Sequence, residues 1–276
     1  MAEPTPFGPN YGDAFSIANQ YRANSAPNAE SVFEVKFYQE IDPGSRFATY
    51  AWPRGLVLPY AAQRSRVGEG FFEVHESSYN LMDDNDTRKN YMFPKTYTLG
   101  TGADAIAVPD EDTIKGGAYS GLAFNQEPPY FCLKYPTNTD PLLRFGWGQN
   151  PWPVYRYSDV LLMYAEAMNE QGMATQDVLD QTINQTRARG GMPPLVGLGQ
   201  GEIREALKQE RYIEFFFEGK RFFDLVRWGE LVQTVNNRDF GYTNNFPITE
   251  EYELLPLPQR ELDANPNLGV NNSPWN

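Results

Sequence analysis

Glu210, Glu214 and Glu218 fall at successive four-residue steps in the stretch "ERYIEFFFEGKRFFDLVRW". That spacing places all three carboxylates on one stripe of a helix. Stacked carboxylates suit two kinds of chemistry. One is general acid catalysis with a second carboxylate as base or nucleophile, as in glycoside hydrolysis. It needs an acid of raised pKa and open space for a substrate. Phe215, Phe216, Phe217, Phe222 and Phe223 flank the ladder and would fill that space. The other is an internal ion network, in which cations relieve a repulsion of a few tenths of a kcal/mol per like-charged pair. Arg211, Arg221 and Arg227 are the nearest supply. Arginine also suits partly buried bidentate pairing better than lysine. The ladder therefore reads as a scaffold's wiring, with no catalytic residue.

Other reactive groups are sparse. One histidine, His75, and one cysteine, Cys132, rule out an intrachain disulfide, a cysteine-based zinc site and a two-histidine carboxylate bundle. "DDNDTRK" (83–89) resembles the start of a calcium loop but lacks the central glycine and the closing glutamate. It reads as a surface turn with Asp86 and Arg88 in structural pairs. Asp110, Glu111 and Asp112 make a solvated acidic loop, and "GTGADA" lacks the strand-to-helix setting of a phosphate loop. No metal or cofactor is expected.

Binding chemistry is better represented. Flat apolar rings on stiffened loops, with donors nearby, hold the C–H-rich faces of sugars at low entropic cost. "ATYAWPRGLVLPY" supplies Tyr50, Trp52, Arg54 and Tyr60 between prolines. "GEGFFEVHESSYN" adds Phe72 and Tyr79, and "FGWGQNPWP" adds Trp147. These seven are the candidate carbohydrate-binding residues, with Trp52 the strongest. Trp228 lies in the charged helix and reads as core; Trp275 reads as an anchor for the tail.

The totals limit the partners. In 276 residues with 41% hydrophobic and 14% aromatic content, a sizeable core is possible. A formal net charge of −13 disfavours nucleic acid and anionic membrane surfaces. No apolar run approaches the roughly 20 residues of a membrane-spanning helix. The opening "MAEPTPFGPNYGD" carries neither a secretion signal pattern nor a lipid-accepting cysteine.

The elements that must position these residues change character near residue 155. Residues 1–155 form a loop-rich region of mixed strand and loop, read as the ligand-binding part. "SVFEVKFY" alternates as a strand, and "GFFEVHES", "YMFPKTYTL" and "PYFCLKYP" look extended. "TLGTGADAIAVPDEDTIKGGAYSG" reads as loop. Residues 156–276 turn helical. One helix is capped by Ser158 or Asp159 and ends at Gly172, with Val160, Leu161, Tyr164, Ala167 and Met168 as its apolar face. A second runs from Thr175 to Gly190 or Gly191. The third, from near Gly201, carries the glutamates and breaks near Gly219. The tail "YELLPLPQRELDANPNLGVNNSPWN" reads as an extended strap.

"RYSDVLLMYAEAMNE", "INQTRARGGMPPL", "IREALKQERYIEFFFEGKRFFDLVRWGEL" and "YELLPLPQRELDANPNLGVNN" resemble, in order and spacing, the C-terminal half of the SusD/RagB family. "NAESVFEVKFY" and "DDNDTRK" extend the likeness toward residue 25. The resemblance implies one mainly α, SusD-like domain: a tetratricopeptide-like helical scaffold with long loops and a few short strands, without the N-terminal half. It implies a non-enzymatic protein at the cell outer membrane, surface-exposed and held by a lipid anchor that this chain does not carry. Such a protein captures oligosaccharide or polysaccharide and passes it to a SusC-like TonB-dependent transporter. Two rivals stay open: the same fold binding peptide or another nutrient, and a carboxylate glycoside hydrolase.

Overall fold

The structure is a computed structural model that describes residues 7–8, 10–15, 30–37, 45–51, 71–93, 96–99, 106–109, 130–135, 150–237 and 247–275. Trp52, Arg54, Tyr60 and Trp147 lie outside these residues. Among the described residues there are six short strands: β1 (Ser31–Val35), β2 (Glu73–Val74), β3 (Thr96–Leu99), β4 (Ile106–Pro109), β5 (Tyr130–Phe131) and β6 (Trp152–Arg156). They pair antiparallel as β1 with β6, β2 with β5 and β3 with β4. The helices are α1 (Phe47–Ala51), α2 (Glu76–Asn80), α3 (Thr87–Met92), α4 (Tyr157–Glu170), α5 (Gln176–Gln181), α6 (Ile183–Arg189), α7 (Gln200–Glu214), α8 (Arg221–Trp228), α9 (Leu231–Asn236) and α10 (Gln259–Ala264). A 3-10 turn spans Tyr11–Phe15. The fold is mainly α with a few short strands, as expected. No helix among the described residues is long and apolar enough to cross a membrane.

The change of texture near residue 155 is a change of secondary structure. Compact units divide elsewhere, between Glu218 and Gly219. Within the first unit the core has two parts. Leu162 and Ala165 of α4, Leu179 of α5, Ile183 of α6, and Ile203 and Leu207 of α7 pack with Phe215. Tyr11, Phe15, Val74, Met92, Tyr130, Cys132 and Tyr135 pack with Tyr212 and Ile213 from the last turn of α7. Helix α7 is thus shared by both, and its final turn is buried all round.

Several local outcomes differ from the sequence expectations, each for a physical reason. Helix α4 starts a turn early: Arg156 takes the N-cap position, and its N–H donates to the Asp159 carboxylate at 3.0 Å. The expected second helix is two, broken at Thr182 (φ −131°, ψ −101°). Asp86 caps α3 by accepting from the Arg88 N–H at 2.9 Å, so "TRKNYM" is helical and not extended. The stretch read as loop contains β4, which pairs with β3.

The second unit, residues 219–276, holds α8, α9, α10 and two 3-10 turns. Its tail is folded into short helical pieces, not extended. Asn236 both donates to the Ile248 carbonyl and accepts from its N–H, each at 2.9 Å. Asn271 brackets Leu257 in the same way, and Trp275 Nε1 donates to the Leu254 carbonyl at 3.0 Å.

The apolar face of α4 was misjudged by about one residue. Leu162 is fully buried, whereas Val160 and Met163 are each 45% exposed and Tyr164 is 51% exposed. Helix α4 is apolar on two sides, and α7 covers the side bearing Leu162 and Ala165. Leu162→Ala should therefore cost about 2–5 kcal/mol of unfolding free energy, and Met163→Ala no more than about 0.5 kcal/mol. Paired urea denaturation curves check this; equal losses would show the face to be wrong.

Candidate functional site

Helix α7 ends where its carboxylates are needed. Gly199 caps its start, donating its N–H to Glu202 at 2.8 Å. Fifteen residues on, Glu210 and Glu214 face inward, with Glu218 in the turn that follows. All three are buried, and their cations come from distant segments: Arg88 of α3, Lys134 beyond β5, Arg156 at the end of β6, and Arg187 and Arg189 at the end of α6. Arg211 has its guanidinium 5.0 Å from the Phe215 ring. In the second unit, Arg227 pairs with Asp224 at 3.0 Å, and Arg221 lies over Trp228.

The geometry is that of a closed lattice. Arg88 reaches Asp86 at 2.8 Å, Glu210 at 2.6 Å and Glu214 at 2.9 Å. Arg156 reaches Glu30 and Glu214 at 2.6 Å and clasps Glu218 through two nitrogens at 2.7 and 3.0 Å. Arg189 joins Glu30 at 2.6 Å and also pairs with Glu214. Lys134 Nζ reaches Glu218 at 2.6 Å. Five cations thereby meet five carboxylates: Glu30, Asp86, Glu210, Glu214 and Glu218. Asp86 and Arg88 are indeed paired, but inside the core and not at the surface.

The same cations finish the helix. The last carbonyls of an α-helix have no partner within it. The Glu214 carbonyl accepts from Tyr11 Oη at 2.6 Å, from Arg156 at 2.7 Å and from Lys134 at 3.3 Å. Lys134 also donates to the Phe216 carbonyl at 2.7 Å, and Tyr135 Oη to that of Phe217 at 3.2 Å. Positive charge at a helix C-terminus is favoured by the helix dipole as well. Aromatic rings shield the cations: Phe15 lies 4.5 Å from Lys134 Nζ, and Phe7 lies 4.2 Å from the Arg189 guanidinium. Gly190 allows the end of α6 to come this close. A Cβ there would sit 2.8 Å from Arg88 Nε and 2.9 Å from Asp86 Oδ1.

Electrostatics follow from the geometry. Burial pushes the Glu214 carboxyl up, but Arg189, Arg156 and Arg88 outweigh it and hold the group well below the usual carboxylate range. Burial lowers Lys134 to about 8, against the opposing pull of Glu218. Burial raises the Cys132 thiol to about 12, so it is no nucleophile at neutral pH. A general acid needs a raised pKa and a free oxygen. Glu214 has a depressed one, and guanidinium groups occupy both of its oxygens. His75 caps α2, its Nδ1 accepting from the Ser77 N–H at 3.2 Å.

The aromatic candidates divide. The Tyr50 carbonyl accepts the N–H groups of Phe71 at 2.9 Å and Phe72 at 3.2 Å. Its ring lies 5.3 Å from that of Phe71 and 6.1 Å from that of Phe72. Phe71 is 59% exposed and Phe72 39% exposed, with Arg46 5.0 Å from the Tyr50 ring. Tyr50 and Phe72 therefore come together with Phe71, whose signal in the sequence is its place beside Phe72. Phe47 beneath them was missed; its ring is 5.3 Å from Phe72. Its only signal was its place one helical turn before Tyr50. Tyr79 stacks face to face on Tyr130 at 4.1 Å and packs against the core.

The model of the SusD family matches residues 74–275. SusD-like protein P25 of Formosa agariphila is 35% identical over 283 residues, covering 94% of this chain and 50% of that protein. Starch-binding protein SusD of Bacteroides thetaiotaomicron is 29% identical over 140 residues, covering 50% of this chain and 24% of that one. A solved SusD homologue from Bacteroides thetaiotaomicron superposes with TM-score 0.69 at 23% identity, covering 99% of this chain and 57% of that chain. Surface glycan-binding protein A from the same species, in complex with laminarihexaose, gives 0.62 at 22% identity, covering 96% and 55%. The chain spans about half the length of the curated relatives named here at most.

Two outcomes test the network. Arg156→Met removes the guanidinium that Glu30, Glu214 and Glu218 share, leaving Arg189 to Glu30, Arg88 and Arg189 to Glu214, and Lys134 to Glu218, and should cost about 3–5 kcal/mol of unfolding free energy. Arg204→Met, which breaks an exposed pair with Glu170, should cost less than about 1 kcal/mol. Similar values for the two in chemical denaturation would dismiss the network as a structural element. Glu214 also sets a pH limit. Its folded pKa lies below the ordinary value of 4.5, so its contribution to stability is present above that value and is lost as pH falls through and below it. The urea midpoint should drop on acidification below pH 4.5, and less steeply in Glu214→Gln.

Proposed function

This chain belongs to the SusD family, and from that premise we propose that it is a non-catalytic glycan-binding protein. It captures oligosaccharide at the outer-membrane surface, where a lipid anchor holds it, and delivers the sugar to a SusC-like TonB-dependent transporter. The observation that carries the binding role is the Tyr50–Phe71–Phe72 face, in which Phe71 and Phe72 are exposed and all three are tied together through one backbone carbonyl. Rings so held present flat apolar surface without losing much rotational freedom on binding. Trp52, Tyr60 and Trp147, with Arg54 as a hydrogen-bond donor, are proposed as further contacts to the sugar. Tyr79 is the weakest of the seven, since its ring already stacks on Tyr130.

Two further points support this reading. A family relative has been solved with laminarihexaose, and another is named a starch-binding protein. The carboxylates that a hydrolase would use are buried and saturated with cations in this chain. That favours capture over cleavage.

Titration of a panel of oligosaccharides that includes laminarihexaose, followed by intrinsic tryptophan fluorescence and calorimetry, tests the proposal. Trp52→Ala and Phe72→Ala should each weaken the best ligand by about tenfold, the effect of losing roughly 1.4 kcal/mol of stacking. Unchanged affinity in both would remove the aromatic face as the platform, and binding of peptides but no glycan would favour the peptide-uptake branch. Assay of the same mixtures for new reducing ends should find none. Turnover abolished by Glu214→Gln in a folded protein would make the chain a hydrolase.

A further inference from the structure

Among the described residues other than glycine, Phe217 is the one with a left-handed backbone, at φ +63°. A bulky side chain avoids that conformation because its Cβ crowds the backbone carbonyl. Such a conformer persists only where the surroundings over-determine it. Here they do. The carbonyls of Phe216 and Phe217 are held by Lys134 at 2.7 Å and Tyr135 at 3.2 Å, and the next side chain, Glu218, is clasped by Arg156 and Lys134. The turn from Phe215 to Glu218 is fixed from the buried side by groups that have nowhere else to go.

The opposite side of Phe217 leads to the exposed rings. Its ring centroid lies 6.2 Å from that of Phe47 and 6.3 Å from that of Phe72, both edge-to-face. Phe47 in turn meets Phe72 at 5.3 Å and Trp152 at 4.7 Å. Phe72 is the residue whose N–H reaches the Tyr50 carbonyl. A continuous path of contacts therefore runs from the ion lattice through one strained residue to the aromatic face. With φ near −60°, the chain would carry this side chain in a different direction, away from the path the clamped turn sets.

We propose that Phe217 is a positioning residue for the ligand face: the clamped turn aims its ring at Phe47 and Phe72, and that prop fixes how Tyr50, Phe71 and Phe72 are presented. This assignment of a role rests on the reading of those three rings as the glycan platform. The positioning itself is a property of the protein without ligand, so the two can fail separately.

The test is amide hydrogen exchange in the full chain, read at Phe71 and Phe72, whose N–H groups report the Tyr50 clasp. Phe217→Gly keeps the left-handed backbone and deletes the ring. It should speed exchange at both amides by about tenfold, while the amides of Ile203 and Leu207 in α7 change by less than about twofold. Phe217→Tyr, which restores a ring, should return the wild-type rates. Unchanged rates at Phe71 and Phe72, or equal acceleration at every amide, would overturn the positioning role; the second result would mark Phe217 as a general core residue. If Phe217→Gly does not fold, Phe47→Leu tests the same prop without touching the turn, with the same two expectations. A laminarihexaose titration completes the design. Weaker binding in Phe217→Gly in step with faster exchange supports both claims. Faster exchange with no glycan bound by the wild type keeps the prop and discards the platform.

Discussion

A carboxylate cannot be taken out of water unless a cation and hydrogen bonds come with it, and α7 with the turn after it carries three into the interior within nine residues, Glu210 to Glu218. The rest of the first unit answers that demand. Arg88 must arrive on α3, Lys134 beyond β5, Arg156 on β6, and Arg187 and Arg189 on α6. Each segment is committed by one side chain to a place set by the others. Small elements follow from the same need: the Asp86 cap that starts α3, and the glycine at 190 that lets α6 close on it. Such a lattice adds little net stability compared with an apolar core of the same volume. Its contribution is register, because a shifted element would leave a charge unpaired in a region of low dielectric.

Division of labour between the two residue classes follows. Because the acids are committed to architecture, they are withdrawn from chemistry; Glu214 stays ionised and has no oxygen to spare. On the proposed reading, ligand contact falls to groups that function without a charge, the rings of Tyr50, Phe71 and Phe72. A sugar face rewards flatness and stiffness more than it rewards charge. Stiffness is what a rigid interior can supply to a loop at its margin, and the contacts from Phe217 through Phe47 to Phe72 are the route by which it does so here.

How much of this was legible depends on the range of the interaction. Glu210, Glu214 and Glu218 announce a neutralised ladder, since the i+4 stripe and the surrounding phenylalanines both appear within nine residues. The identity of the cations does not. Arg88 is 122 residues from Glu210, a separation that no local spacing displays. Caps at Thr175 and Gly190 were readable because capping is local. The buried side of α4 was not, because apolar residues stand on both sides and only the position of α7 decides between Leu162 and Met163. The helix at Thr87–Met92 was hidden by its own acidic cap, which imitates a metal loop until Arg88 is seen to turn inward. Of the ring candidates, Tyr50 and Phe72 could be singled out by residue type and their place between glycines and prolines, whereas the contacts that Phe47 and Phe217 make with Phe72 appear in no linear pattern.

The choice of cation at each place follows from geometry as well. Arg156 has to satisfy Glu30, Glu214, Glu218 and a carbonyl at once, and only a planar fork with five donors can reach four acceptors in fixed directions. Arg88 faces the same task with Asp86, Glu210 and Glu214. Lys134 has a different one. Its acceptors are the Glu218 carboxylate and the carbonyls of Glu214 and Phe216, which converge on a point and suit a compact ammonium with three donors. Its lowered pKa of about 8 is the consequence of placing that point charge between Phe15 and Tyr11, where water cannot assist. Arginine at 134 would be too wide for a site whose acceptors lie within one turn of chain. The lattice is therefore specific in residue type as well as in charge. That specificity is strictest at Lys134, which both neutralises Glu218 and holds the turn that aims Phe217.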